Sequence, residues 1–333
     1  MTRQADEDHI FPTEDESWET ALGAVQSCLA VPNILNGLVR NSWAGLWETR
    51  EFMRALGFVG LNARCLMRAA EMPPDGADKH AADVERAVAL LGVRTSAVVV
   101  AINYVCQTVL KSNPPDRLWV GIFREMMTLV EIGYRFGCRA EGIGPEGGML
   151  MGFVRTAGLA ILLAEYPKEF SEWFAKSRGV DTPHFVKETF GCETYQVGAV
   201  ALQQLGFGTD IAIAAALAVG NLQHDMIEVP RHVINWKAAY LWIECLRNGQ
   251  SYPKDILSRN CFDGLTPPKL GSPASPALGL LYSQVANIRR KQSDWNWHLP
   301  NNTYDETTKS VAGRRAKHLQ YSTSRRTMVF GSE

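Results

Sequence analysis

The chain has 333 residues, of which 46% are hydrophobic and 21% charged, and its formal net charge at neutral pH is -1. That length can bury one large core or two medium ones, and the composition is that of an ordinary globular protein. A balance so close to neutral excludes whole-chain electrostatic attraction to nucleic acid or to an anionic membrane.

Charge is concentrated at the two ends. The first twenty residues hold seven acids (Asp6, Glu7, Asp8, Glu14, Asp15, Glu16, Glu19) against Arg3 alone, and the stretch from Arg289 carries nine Lys/Arg against four acids. Residues 1–20 therefore read as an acidic flexible arm and the far end as a basic tail. The start of the chain is polar, with no basic segment leading into an apolar run, so no signal peptide is expected. Gly147–Leu163, the longest apolar stretch, is interrupted by Arg155 and four glycines, and reads as too short and too polar to cross a membrane. Seven cysteines stand at least sixteen residues apart with no CxxC pair, which leaves neither a zinc ribbon nor a thioredoxin-like motif. An odd, unpatterned set suits a reducing compartment, and the expected location is the cytoplasm.

Helical periodicity runs through most of the chain. Val84, Ala87, Val88 and Leu91 fall on one helical face, and Leu91-Gly92 ends that helix with a residue that accepts positive φ. Thr95–Leu110 follows as a more apolar helix, including the β-branched run Ser96–Ile102. Asn113-Pro114-Pro115-Asp116 marks a loop, with Asp116 placed to cap a helix through about Phe136. The glycine-rich stretch Gly142–Gly148 reads as a turn into a helix over Met149–Ala164, which is apolar on all sides. Asp181-Thr182-Pro183 opens another helix. Glu193–Leu205 and Asp210–Val219 form an αα-hairpin across Gly206-Phe207-Gly208, and Val233–Leu246 adds a helix bearing Trp236 and Trp242. Composition shifts after Gly249. Residues 251–333 read as a proline-rich linker, one short helix at Leu278–Arg289, and the basic tail, either mobile or folded back onto the body. The main domain is thus expected over 21–250, with an N-terminal helical part over about 21–110 and a core over about 111–225.

Four stretches in order carry a resemblance. They are Val84–Gly92 with its Leu91-Gly92 stop, Leu118-Trp119 opening the next helix, Gly152–Leu162 followed by Tyr166-Pro167, and Phe190–Ala199 with its hairpin continuing to Ile211. Together they resemble the HDOD family, a branch of the HD-type helical proteins, over roughly residues 80 to 220, with a weaker likeness back to Val31-Pro32. The resemblance implies an all-α, HD-like multi-helix bundle used in bacterial signal transduction. Its fold-defining positions here are Leu91, Gly92, Trp119, Gly152, Gly158, Gly191 and Gly198. Independently of any family, Gly152, Gly158 and Gly198 sit inside apolar helices, where each costs ~1 kcal/mol relative to Ala. Such glycines are kept where another helix comes close.

In a working HD phosphohydrolase, His and Asp side chains on neighbouring helices hold one or two metal ions that activate water against a phosphate. In the resembling stretches, the His-Asp pair is matched by Arg155-Thr156 and the second motif's His by Thr194, after Glu193. Ala218-Val219 replaces paired histidines, and Gly121 stands where a His often follows Trp119. Thr, Ala and Val bring no imidazole, and Arg155 adds a cation that repels a metal; no catalytic residue and no metal ligand is expected there. A literal His224-Asp225, with Glu228 and His232 nearby, reads as surface polarity around a helix start. No nucleophile elbow, phosphate loop or HExxH is present. Gly142, Gly144, Gly147 and Gly148 lack both the preceding strand and the order of a dinucleotide-binding loop.

The sequence therefore points to a non-catalytic signalling or regulatory module without cofactor, acting by protein–protein or small-ligand binding. Its candidate groove is lined by Arg155, Thr156, Glu193 and Thr194, with Glu193 the internal partner expected for Arg155. The expected partner is another signalling protein, with a small ligand possible, and no membrane or nucleic acid. Two alternatives stand beside it. One is a divergent metal-dependent phosphohydrolase of the HD superfamily using His224, Asp225 and His232. The other is a nucleic-acid-associated regulator that uses the basic tail, where Trp295 and Trp297 sit among basic residues.

Overall fold

The computed structural model describes residues 15–59, 64–70, 83–111, 116–177, 183–220, 231–266 and 275–291, together with Ser293 and Trp295. Among these residues every regular element is an α-helix. In chain order they are α1 (Glu16–Cys28), α2 (Asn33–Trp43), α3 (Thr49–Val59), α4 (Arg64–Ala70), α5 (Val84–Leu91), α6 (Val93–Leu110), α7 (Asp116–Gly137) and α8 (Gly144–Glu165). Then follow α9 (Pro167–Ser177), α10 (Pro183–Phe190), α11 (Thr194–Leu205), α12 (Thr209–Val219), α13 (Arg231–Arg247), the short α14 (Ile256–Arg259) and α15 (Pro276–Lys291).

Local chemistry sets the ends. Asp15 caps α1 by accepting from the Ser17 amide at 3.0 Å, Asp83 caps α5 through the Arg86 amide at 2.7 Å, and Asp255 caps α14 through the Ser258 amide at 2.7 Å. Gly92, at φ 79°, closes α5 and opens α6, as the Leu91-Gly92 stop predicts.

α8 is the centre of the bundle. Nearly every residue from Gly147 to Leu163 is buried, including Met149, Phe153, Val154, Ile161 and Leu162. The helix starts at Gly144, not at Met149, so the glycine-rich stretch is largely helix and not turn. The reason is packing. A Cβ added at Gly148 would lie 2.0 Å from the Gly133 carbonyl oxygen, one at Gly137 2.0 Å from the Gly144 oxygen, and one at Gly152 2.2 Å from the Leu129 oxygen. The paired positions run in opposite directions along α7 and α8, so the two helices are antiparallel and touch backbone to backbone. α11 crosses the opposite part of α8 in the same way. A Cβ at Gly158 would meet the Thr194 oxygen at 2.0 Å, and one at Gly198 the Val154 oxygen at 2.1 Å. The close approach that Gly152, Gly158 and Gly198 predict is what the structure contains.

α6 (Val93–Leu110) and α8 (Gly144–Glu165) are long and apolar enough, by length and composition, to cross a membrane. For α8 this differs from the sequence expectation, because the helix runs 22 residues, beyond the Gly147–Leu163 window. In this fold both helices bury most of their apolar surface against other helices.

The packed core continues past residue 250. Phe262, Leu265, Leu278, Leu281, Val285, Ile288 and Trp295 belong to one cluster with the central helices, and the Trp242 indole donates to the Ser258 carbonyl at 2.9 Å. α15 lies against α7 and α13. At the other end, Ser17 and Ala21 are buried, so ordered structure begins inside the stretch that reads as an acidic arm. Residues 1–14 and 296–333 lie outside the described residues.

Candidate functional site at the crossing of α8 and α11

The loop before α11 presents the second motif. Gly191, at φ 76°, turns the chain out of α10, and Glu193 then serves as N-cap of α11. Glu193 and Gln196 form a capping box in which Gln196 Oε1 accepts from the Glu193 amide at 2.8 Å. The Glu193 side chain is thus engaged at the start of its own helix. Gln196 also donates through Nε2 to Ser17 Oγ at 2.7 Å, a buried bond that ties α11 to the first turn of α1.

The Gly158–Thr194 contact brings Arg155 to the same crossing as Glu193 and Thr194. Arg155 and Glu193 are half-buried, and Thr194 is only 6% exposed. Thr156 is placed otherwise. At about 100° per residue it lies roughly 160° around α8 from Gly158 and close to the Gly152 direction, which faces α7. It is 2% exposed, and its hydroxyl donates to the Phe153 carbonyl at 2.9 Å on its own helix. Three of the four candidate groove residues therefore gather at the α8–α11 crossing, and the fourth is sealed on the α7 side.

The sequence did not single out the neighbours that surround this corner. Trp18 of α1 packs edge-on against Tyr195, with ring centroids 6.1 Å apart, and Thr20 lies under Gly191. Burial pushes the Tyr195 hydroxyl up to about 12, and Glu193 and Asp15 nearby add to that shift. Asp15 is held low by its hydrogen bonds from Ser17 and by Lys187, whose ammonium is 3.5 Å away. Tyr195 and Gln196 stood within the quoted Phe190–Ala199 stretch, but nothing in one sequence ties them to Ser17 or Trp18, some 180 residues earlier.

The corner offers poor chemistry for a divalent ion. Thr156 is turned away and bonded internally, Ala218 is buried and inert, and Gly121 has no side chain. Among the described residues, no three His, Cys, Asp or Glu side chains converge as metal ligands. The groups present do not fit the metal that HD-type hydrolysis needs. Of the alternative set, His224, Asp225 and Glu228 lie outside the described residues, and His232 is exposed in the first turn of α13. The seven cysteines are all free. Burial raises the Cys28, Cys65 and Cys192 thiols to about 12, and Cys106 further in the same direction, which leaves them protonated and poorly nucleophilic.

No family model matches the chain, and no curated protein matches it in sequence. Solved structures do match in fold. A protein of Shewanella amazonensis SB2B, provisionally named a phosphohydrolase, aligns with a TM-score of 0.60 at 16% identity over 84% of this chain and 98% of that one. An HDOD domain protein with unknown function from Geobacter sulfurreducens aligns with a TM-score of 0.53 at 15% identity over 90% of this chain and 96% of that one. At these identities the likeness is one of architecture. The chain is an all-α protein with an HD-like multi-helix bundle. Within that class its fold is HDOD-like, the fold that its four motifs predicted.

Proposed function

We propose that the chain is a non-catalytic signalling or regulatory module that binds another protein or a small ligand at the α8–α11 corner. The observation that carries this reading is the state of the positions where HD enzymes keep their ligands. Thr156 spends its hydroxyl on the Phe153 carbonyl, and Thr194 lies with its carbonyl against Gly158. A hydrolase would need imidazole and carboxylate groups aimed at one point; these residues instead consolidate helix packing. What is left partly exposed at the corner is Arg155 and Glu193, a pair of opposite charges suited to recognition, beside the Tyr195 ring that Trp18 covers.

The fold likeness to the Shewanella protein keeps a divergent phosphohydrolase as the second reading, with His224, Asp225 and His232 as its ligands. Elemental analysis and hydrolysis assays on cyclic dinucleotides and nucleotides separate the two. The module reading expects neither stoichiometric metal nor turnover. About one transition metal per chain, lost on His224→Ala, would overturn it. For the binding role itself, Arg155→Met should abolish capture of the partner that the unaltered chain draws from host extract, while leaving the melting temperature within about 2 °C. Unchanged capture would move the interaction surface elsewhere. Salt-dependent DNA or RNA binding that disappears on deleting residues 297–333 would favour the nucleic-acid alternative.

A further inference from the structure

Residues 248–259, which leave α13 and include α14, form one continuous surface with an edge of α15. The Tyr282 hydroxyl of α15 donates to the Ser251 carbonyl at 2.6 Å. Two turns further along, the Arg289 guanidinium fills the space that a Cβ at Gly249 would need. Tyr282 and Arg289 are seven residues apart and so stand on the same edge of the helix. Further along the segment, the Arg259 guanidinium lies 5.6 Å over the Tyr252 ring. Ile256 and Arg259, three positions apart on α14, are neighbours on its surface.

Apolar and cationic groups meet on this surface. Ile256 and Leu257 are 63% and 64% exposed, and Tyr252 is 40% exposed. They are three of the seven exposed large hydrophobic side chains among the described residues, and they fall within six positions. They are therefore a cluster, unlike the scattered single side chains that any surface carries. Side chains this exposed protrude, whereas those lining a groove would be mostly covered. Lys254, Arg259 and Arg289 surround them. Asp255, the one acid in residues 248–259, is engaged in capping α14. α15 contains no acid and ends in Arg289-Arg290-Lys291. Among the described residues, neither Arg259 nor Arg289 is paired with a carboxylate: one rests on a ring, the other on a glycine backbone. Guanidinium groups seated on uncharged surface keep their N–H donors for an anion from outside.

We infer that this surface docks on an anionic lipid bilayer: Ile256, Leu257 and Tyr252 enter the headgroup boundary, and Lys254, Arg259 and Arg289 lie against lipid phosphates. Protruding apolar side chains need a partner that yields to them, and the cations around them need negative charge at its rim. An anionic membrane offers both at once. A nucleic acid would satisfy the cations but leave the aliphatic pair without a role. The near-neutral balance of the whole chain gives no such attraction; here it is local, because acids are sparse in residues 248–259 and α15. Docking of this kind is shallow and reversible, and no helix crosses the bilayer. The role does not depend on the α8–α11 corner and would stand if that corner bound nothing.

The test is flotation of the full chain with vesicles of phosphatidylcholine alone and with an equal mixture of phosphatidylcholine and phosphatidylglycerol. The chain should float with the mixed vesicles, not with phosphatidylcholine, and about 0.5 M salt should weaken the binding. Replacing the apolar pair together, Ile256→Ser with Leu257→Ser, should lower the bound fraction roughly tenfold. Because both side chains are exposed, the melting temperature should stay within about 2 °C. Arg259→Gln with Arg289→Gln should lower binding to the mixed vesicles as well. No flotation with the mixed vesicles, or equal flotation with both kinds, overturns the inference. So does flotation that the apolar substitutions leave unchanged, since charge elsewhere on the chain would then account for it. A parallel titration uses a synthetic amphipathic helix of Glu and Leu. Binding of that peptide that needs Arg259 and Arg289, without flotation, would make the surface a protein-docking site and overturn the membrane reading.

Discussion

On its α8 side, helix α7 meets its neighbour through Gly133, Gly137 and the carbonyl of Leu129, with no side chain between the two backbones. On its other side the same helix meets α13 and the C-terminal layer through large rings. Phe136 lies 6.0 Å from Trp242 and 5.3 Å from Phe262 between centroids, and an Arg247–Glu125 ion pair closes the edge. At these glycine positions the first contact has no room for an added atom; the second is built from side chains that can shift. One helix therefore carries two faces with opposite weaknesses, the first sensitive to added atoms and the second to removed ones.

The largest effect should come from adding a methyl group to the glycine contacts. Gly158→Ala and Gly152→Ala place a Cβ 2.0 and 2.2 Å from backbone carbonyl oxygens, which no rotamer change relieves. Each should cost about 4 kcal/mol or more in urea unfolding, or prevent folding altogether. Gly279→Ala in α15 is the control, because its Cβ would enter open space, and it should stabilise by about 0.5 kcal/mol. A Gly158→Ala chain as stable as the Gly279→Ala chain would show that the helices can separate freely.

Next in size is a deletion on the aromatic side. Phe262 is 1% exposed, so Phe262→Ala should lose about 3 kcal/mol, and Phe262→Leu much less, since neighbouring rings can close in. Equal losses for Leu and Ala would mean that this layer is as rigid as the glycine contacts.

The smallest effect is electrostatic and lies away from both faces, at the first turn of α1. The Asp15 carboxyl is held below its ordinary value by hydrogen bonds from Ser17 and by Lys187. A lowered folded-state value means that its contribution is complete above the unfolded value, about 3.9, and fades as pH falls through the folded one. The difference in melting temperature between the unaltered chain and Asp15→Asn should thus be constant above about pH 5 and shrink below about pH 4. A difference that widens on acidification would contradict the sign.

Much of the fold was legible in the sequence because helix-breaking residues need a reason. Gly152, Gly158 and Gly198 stood inside apolar periodic runs, and only close packing accounts for them there. The same letter misled at Gly142–Gly148, since glycine marks a turn and a backbone contact equally well. Gly133 and Gly137, the partners on α7, would have resolved that ambiguity once paired with Gly148 and Gly144. The C-terminal layer was masked by its prolines: Leu278, Leu281, Val285 and Ile288 show a helical face, but no local signal says what that face covers. At the candidate site, the motif positions identified the crossing itself. Thr156 could have been separated from it by counting 100° per residue from Gly158. The covering turn of α1, with Ser17 and Trp18, depends on contacts between distant parts of the chain that a single sequence does not display. The i, i+4 pair Glu131–Arg135 was visible in α7, whereas its third member Ser293, which donates through Oγ to Glu131 Oε2 at 2.7 Å, was not.

The antiparallel glycine contacts also set the mechanics of the bundle. Sliding α8 along α7 by one residue, about 1.5 Å, would in either direction drive a side chain against the α7 backbone at Gly137 and at Leu129. A four-residue step would restore part of the match, setting Gly152 opposite Gly133 and Gly148 opposite Gly137, but it would also bring Leu162 against the Thr194 carbonyl of α11. Neither step satisfies both partners, so the glycine contacts oppose shear of α8 along α7. Any change that travels between the α1–α11 corner and the C-terminal layer must cross this bundle as a rigid rotation of α7, α8 and α11 together, or go around it.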